Sequence, residues 1–238
     1  MKTRLYPLLV LVLLAWGQGT LAGPAPAQFE AGLHYRRIEP PAPLAPRPGR
    51  IEVVEMFLYA CPHCYRLEPA MKRWLKRHPG IDFKRMPAIV GPTWADQARA
   101  FYMIEALGGG EAMHQALFRA IHEDGRQIYN RYAVIEFLVG QGVERQKAVD
   151  LYYSQEIAGR VDQARRMTVK YGLRGVPAVV VNGEYLTAPY FAGSQARMFE
   201  VLDSLVNEVE TRLAADAGHA PRRSPGVNQA FDNKRRQR

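Results

Sequence analysis

The chain has 238 residues, 47% hydrophobic and 23% charged, with 32 Lys and Arg against 23 Asp and Glu for a net charge of +9. That composition excludes a wholly disordered chain and a polytopic membrane protein. The two cysteines, Cys61 and Cys64, lie three positions apart, which excludes a disulfide scaffold and a four-cysteine zinc site.

The first residues read as an export signal. Lys2 and Arg4 precede an apolar run from Leu8 to Trp16, and Gly17, Gly19, Thr20 and Ala22 follow. These are the parts of a signal peptide, here 1–22, with cleavage after Ala22 or after Ala27. A membrane anchor would need roughly 20 apolar residues. Export points to an oxidising compartment. Segment 23–50 comes next and carries five prolines from Pro40 to Pro48, so an extended linker is expected there.

Ile51 to Leu58 is a β-type run with apolar residues on both faces, the pattern of a strand covered on both sides. Glu55 is out of place in it, because an ionised carboxylate is costly to bury unless paired. Either Glu55 reaches water at a strand edge or it has a buried partner. A helical pattern runs from Cys61 to about Arg77, with Leu67, Met71, Trp74 and Leu75 on one face. Pro79-Gly80 ends it, and Ile81 to Met86 is a second strand. Pro69 is expected to kink the helix.

Segment 93–172 changes character. Thr93 is placed to N-cap a helix from Trp94 that Gly108-Gly109-Gly110 stop. Further helices are expected at about 111–123, 131–139, 144–153 and 155–171. So many helices between strands read as an inserted helical subdomain. In 173–212, strand signals return at Ala178 to Val181. Asn182-Gly183 supplies a hairpin turn, because both central positions of a type I′ turn want φ > 0. Tyr185 to Ala188 returns, and Ser194 caps a last amphipathic helix.

The order gives an α/β fold. Residues 51–92 form a parallel βαβ unit, the hairpin adds an antiparallel edge, and helices cover both faces of a mixed central sheet. Stretch 213–238 holds six basic and two acidic residues and little apolar material, so it is expected to be disordered. A solvated tail is the simpler reading, contact with nucleic acid or anionic lipid the other. The ends carry most of the charge, leaving the body only +3.

Cys61-Pro62-His63-Cys64 sits where a strand runs into a helix. Pro62 suits the first helical position. Cys61 is then the cap residue, beside free backbone N–H groups and the positive end of the helix dipole. Both favour thiolate over thiol, and His63 adds to this when protonated. Cys64 lies one turn on, within bonding reach and less exposed. Cys61 is therefore the attacked and attacking sulfur and Cys64 the resolving one. Stabilising the Cys61 thiolate stabilises the reduced form and makes the disulfide a strong oxidant. A metal would need two further ligands, which the sequence does not offer at a matching spacing, and an inert disulfide closing so small a ring adds little stability.

These residues resemble the DsbA family of periplasmic thiol oxidases, thioredoxin-fold proteins with a helical insertion. The resemblance covers roughly 28–205. It rests on Phe29-Glu30-Ala31-Gly32, Glu55-Met56-Phe57, Cys61-Pro62-His63-Cys64-Tyr65, Leu173-Arg174-Gly175-Val176-Pro177-Ala178 and Val181-Asn182-Gly183. Enzymes of that family are themselves a standard example of depressed thiol pKa and oxidising potential. The resemblance implies a thioredoxin-like fold and a monomeric periplasmic protein. It implies no cofactor or metal beyond the Cys61–Cys64 disulfide. It further implies reduced exported proteins as clients, and reoxidation by a membrane-bound partner of the DsbB type, with no nucleic acid. It implies a cis Pro177 facing the disulfide, with Val176 and Pro177 shaping the client surface, where residues alone would leave a trans proline at a strand edge. It also implies a Glu55–Lys84 pair beneath the disulfide.

Overall fold

In the computed structural model the described residues are 29–219. The signal peptide, both cleavage positions and the basic stretch from 220 onward lie outside them.

Five strands form one sheet in the order β1-β5-β4-β2-β3. They are β1 (Arg36–Arg37), β2 (Ile51–Phe57), β3 (Ile81–Pro87), β4 (Ala178–Val181) and β5 (Tyr185–Thr187). β2 runs parallel to β3 and antiparallel to β4, so the sheet is mixed as expected. The hairpin is not the sheet edge, however, because β1 pairs antiparallel with β5 beyond it. Every residue of β2 is buried, which is what a central strand covered on both faces requires.

The helix that follows β2, α1 (Pro62–Arg77), returns along one face and packs with the last helix, α8 (Gln195–His219). Leu67, Met71 and Trp74 of α1 meet Val201, Leu205 and Val209 of α8 over Val53 and Val181. The Trp74 indole N–H donates to Asp203, tying the two helices at their polar margin. Ser194 caps α8 by accepting the Arg197 N–H at 3.1 Å. α8 runs past 212, so 213–219 is helix rather than the start of a disordered tail.

Five helices fill the other face. They are α2 (Ala95–Ala106), α3 (Gly110–His122), α4 (Arg131–Gly140), α5 (Arg145–Tyr153) and α6 (Gln155–Lys170). Their core, with Phe101, Phe118, Phe137 and Leu138, is continuous with Val54, Met56 and Phe57 of β2. The insertion therefore shares one core with the sheet. Thr93 is not the cap of α2. It lies inside a 3-10 turn, Pro92–Trp94, and α2 starts at Ala95 without a side-chain cap. A one-turn helix, α7 (Pro189–Ala192), joins β5 to α8.

The proline-rich segment is a docked strap rather than a free linker. Ala42 N–H donates to Gly183 O at 2.9 Å, Leu44 N–H to Glu52 Oε1 at 2.7 Å, and Arg47 N–H to Asp82 Oδ2 at 2.9 Å. Prolines cannot supply these donors, so the residues between them do. Gly183, at the hairpin tip with φ +65°, is where the strap comes closest; a Cβ there would stand 2.2 Å from Pro43 N. Gly183→Ala should therefore cost about 1–3 kcal/mol, as overpacking and left-handed strain combine. Urea unfolding would measure it.

Candidate active site

α1 begins with Cys61 in extended conformation (φ −84°, ψ 115°) and Pro62 at its first position. Pro62 has no N–H, so the first donors of the helix are those of His63 and Cys64. Both favour the Cys61 thiolate. The two cysteines are free thiols, Cys61 half-buried and Cys64 buried. The Cys61 pKa is lowered from 9.0 to about 6. The largest cause is the Cys64 thiol donating to its sulfur, opposed by partial burial and helped by the backbone N–H groups of Cys64 and His63. The charge of His63 comes last, so neither that charge nor the helix terminus leads, as the motif alone had implied. Arg66 stands 3.0 Å from His63 Nδ1 and, as the obligate donor, makes that nitrogen the acceptor. Burial and the hydrogen bond to Cys61 push the Cys64 thiol well above its ordinary range. One sulfur is thus activated and accessible, the other inert and enclosed.

Facing Cys61 is the loop before β4. Cys61 Sγ lies 3.5 Å from Val176 O, and the Val176–Pro177 peptide is cis. Beside them opens a groove of about 430 Å³, lined by His63, Val176, Pro177, Pro189, Tyr190 and the Gly193–Gln195 start of α8. Tyr190 is half exposed within it. Nothing in the periodicity marks Tyr190; only the fold brings α7 beside the Cys61 loop.

Beneath the thiols lies a buried charge cluster, and here the expected Glu55–Lys84 pair is corrected. β2 and β3 are paired with Ile51 opposite Ile81, so Glu55 stands opposite Arg85 and Val54 opposite Lys84. Neighbouring residues on a strand point to opposite faces, so Glu55 and Lys84 cannot meet. Lys84 Nζ instead binds Glu52 Oε2 at 2.6 Å on the strap side. Arg85 holds three carboxylates, Glu55 at 3.3 Å, Glu68 at 3.0 Å and Glu111 at 2.9 Å. Glu68 also accepts from Gln115 at 2.6 Å, and His114 Nδ1 lies 2.7 Å from the Tyr59 hydroxyl. Glu68 was legible in principle: it lies four residues after Cys64, on the same buried face of α1.

Glu55 is fully buried, and its Oε1 has no hydrogen-bond partner. Burial and the neighbouring Glu68 raise its pKa to about 8 against the pull of Arg85. An unfolded Glu55 ionises near its ordinary value of 4.5 while the folded one keeps its proton, so stability falls as pH rises between those two values. Glu55→Gln removes that loss. Its stability advantage over the parent should grow from pH 4.5 to pH 8 and exceed about 1 kcal/mol at the upper end. Chemical unfolding at several pH values would check it.

Comparison with known proteins extends the picture. The DSBA-like thioredoxin domain matches residues 52–205. The thiol:disulfide interchange protein DsbA of Burkholderia cepacia is 37% identical over 213 residues, 89% of this chain and 99% of the relative. That of Azotobacter vinelandii is 35% identical over 77% of this chain and 86% of the relative. The crystal structure of Pseudomonas aeruginosa DsbA superposes with a TM-score of 0.71 at 34% identity, covering 79% of this chain and 97% of that one. The Xylella fastidiosa oxidoreductase DsbA gives 0.70 at 32%, over 76% and 98%.

Proposed function

Because the chain belongs to the DsbA-like thioredoxin family, and is thereby a thiol:disulfide oxidoreductase acting on proteins, we propose that it oxidises reduced exported proteins in the periplasm by donating its Cys61–Cys64 disulfide. The observation that carries this reading is the unequal pair of sulfurs, Cys61 activated at the head of α1 and Cys64 enclosed behind it.

A client thiolate attacks Cys61 Sγ, since Cys64 is out of reach. The Cys61–Cys64 bond breaks as a client–Cys61 mixed disulfide forms, and Cys64 leaves with the electron pair. Its raised pKa means that it takes a proton. Glu55, electrostatically coupled to Cys64 and still protonated at neutral pH, is the buried carboxyl placed to buffer that proton. The client's second thiolate then attacks the client sulfur of the mixed disulfide. Cys61 departs readily as a stable thiolate. Two electrons have passed from the client dithiol to the protein. A membrane-bound partner of the DsbB type then takes them from Cys61 and Cys64. The protein acts as a monomer, with the client segment lying along the groove of Val176, Pro177 and Tyr190 beside His63 and Pro62.

Equilibration with glutathione tests this. The Cys61–Cys64 couple should be more oxidising than the about −270 mV of thioredoxin, because the thiolate stabilises the reduced state. A potential at or below that of thioredoxin would turn the assignment towards a reductase.

A further inference from the structure

The groove beside Cys61 is apolar on its floor, and three arginines stand behind two of its lining residues, His63 and Tyr190. His63 lines it, with the Arg66 guanidinium at 3.0 Å from its ring. Arg174 is exposed one residue before Gly175, where a Cβ would stand 3.9 Å from the Tyr190 ring. Arg36 and Arg174 both project positive potential onto the Tyr190 hydroxyl. Arg36 is held by its Nη2, which donates to Tyr171 O and Gly172 O at 2.8 Å each, and its Nε is buried without a partner. The groove also ends on the N-terminus of α8, through Ser194 and Gln195.

No Asp or Glu lines the groove. Among the described residues none of Arg36, Arg66 and Arg174 pairs with a carboxylate. Some cations elsewhere are neutralised, Lys84 on Glu52, Arg85 on three carboxylates, Arg160 on Glu105 and Arg212 on Glu184, so carboxylates were available to the fold where it used them. Leaving three guanidinia without counterions around one cavity creates a positive field focused where the client must lie.

We propose that this groove selects client segments that carry an acidic side chain close to the reacting cysteine. The inference rests on the oxidase reading above and names the class of substrate that reading left open. The apolar floor takes any extended segment. The arginines discriminate by charge: an Asp or Glu beside the client cysteine meets unpaired guanidinia, whereas a Lys or Arg meets like charge. The same field favours the client's attacking thiolate over its thiol. Arg174 is the specificity-determining residue, being exposed and bound to nothing else.

Three peptides of equal length test this, each with two cysteines and with Asp, Asn or Lys flanking the first. At low salt the oxidised protein should process them in the order Asp, Asn, Lys, with kcat/KM differing about tenfold or more between the ends. The spread should collapse near 1 M salt, where charges are screened beyond roughly 3 Å. R174E should cut the Asp-to-Lys ratio severalfold. A ratio at or below one in the parent protein, or one that R174E and salt leave unchanged, would overturn the proposal. Copies with serine for cysteine, followed by fluorescence anisotropy, read the same preference without redox chemistry. If no peptide, Asn included, were oxidised while the anisotropy order held, the oxidase reading would fall and the charge preference would stand.

Discussion

A Cys61→Ser protein should oxidise no client above the rate without enzyme, and should still bind a client peptide as the parent does. The hydroxyl neither forms the disulfide nor ionises in the accessible pH range, while Val176, Pro177 and Tyr190, which line the groove, are untouched. Cys64→Ser behaves differently. Its Cys61 thiolate still attacks an added disulfide, but no second protein thiol remains to displace the adduct. Non-reducing gels should show long-lived mixed disulfides with Cys64→Ser and none with the double variant. Oxidation surviving in Cys61→Ser would mean that Cys61 is not the reacting sulfur.

Arg85→Ala should destabilise the fold by about 3–5 kcal/mol, the usual consequence of removing one partner from a buried ionic cluster. For a chain of this size that lowers Tm by roughly 6–20 °C. Glu68 is almost completely buried, and without Arg85 its carboxylate keeps only His114, at 3.4 Å, and Gln115 beside it. Glu68 is held below its ordinary pKa by its hydrogen bond to His114 and by Arg85, and Glu111 by Lys72 and Arg85, so the share of support Arg85 gives is complete above that range and fades as pH falls through it. The defect should therefore be larger at pH 7 than at pH 4. Lysine at the same position restores charge but not the fork, in which Nε, Nη1 and Nη2 each take a different carboxylate, and should recover only part of the loss. Calorimetry on the three proteins would decide the matter.

How far the sequence could be read depended on the range of the interactions. Helix limits followed from Gly and Pro punctuation and fall within a residue or two of the observed ones for α1 and for α3 through α6. Asn182-Gly183 located the hairpin because a type I′ turn is a local preference. The Cys61-Pro62-His63-Cys64 chemistry was legible because a helix N-terminus is local too. Pairings that depend on register were not. β1 is two arginines with no apolar alternation, and becomes a strand only because β5 is there to receive it. The Arg85 cluster needed the alignment of β2 with β3, which fixes which of two adjacent cations faces Glu55. The strap looked like a linker because its prolines forbid regular structure, while its anchors, Glu52 and Asp82, lie on strands elsewhere.

The strand order also governs how the chain folds as it is synthesised. β2 and β3 are complete once the first ninety or so residues have emerged, but β2's other neighbour, β4, begins only at Ala178, after the whole helical insertion. Until then one side of this fully buried central strand has unpaired backbone groups, an open template for another chain. Closing so distant a contact is slow, because loop entropy is lost before the contact forms. The nascent protein is thus most vulnerable to association during the interval in which its helical insertion is being made.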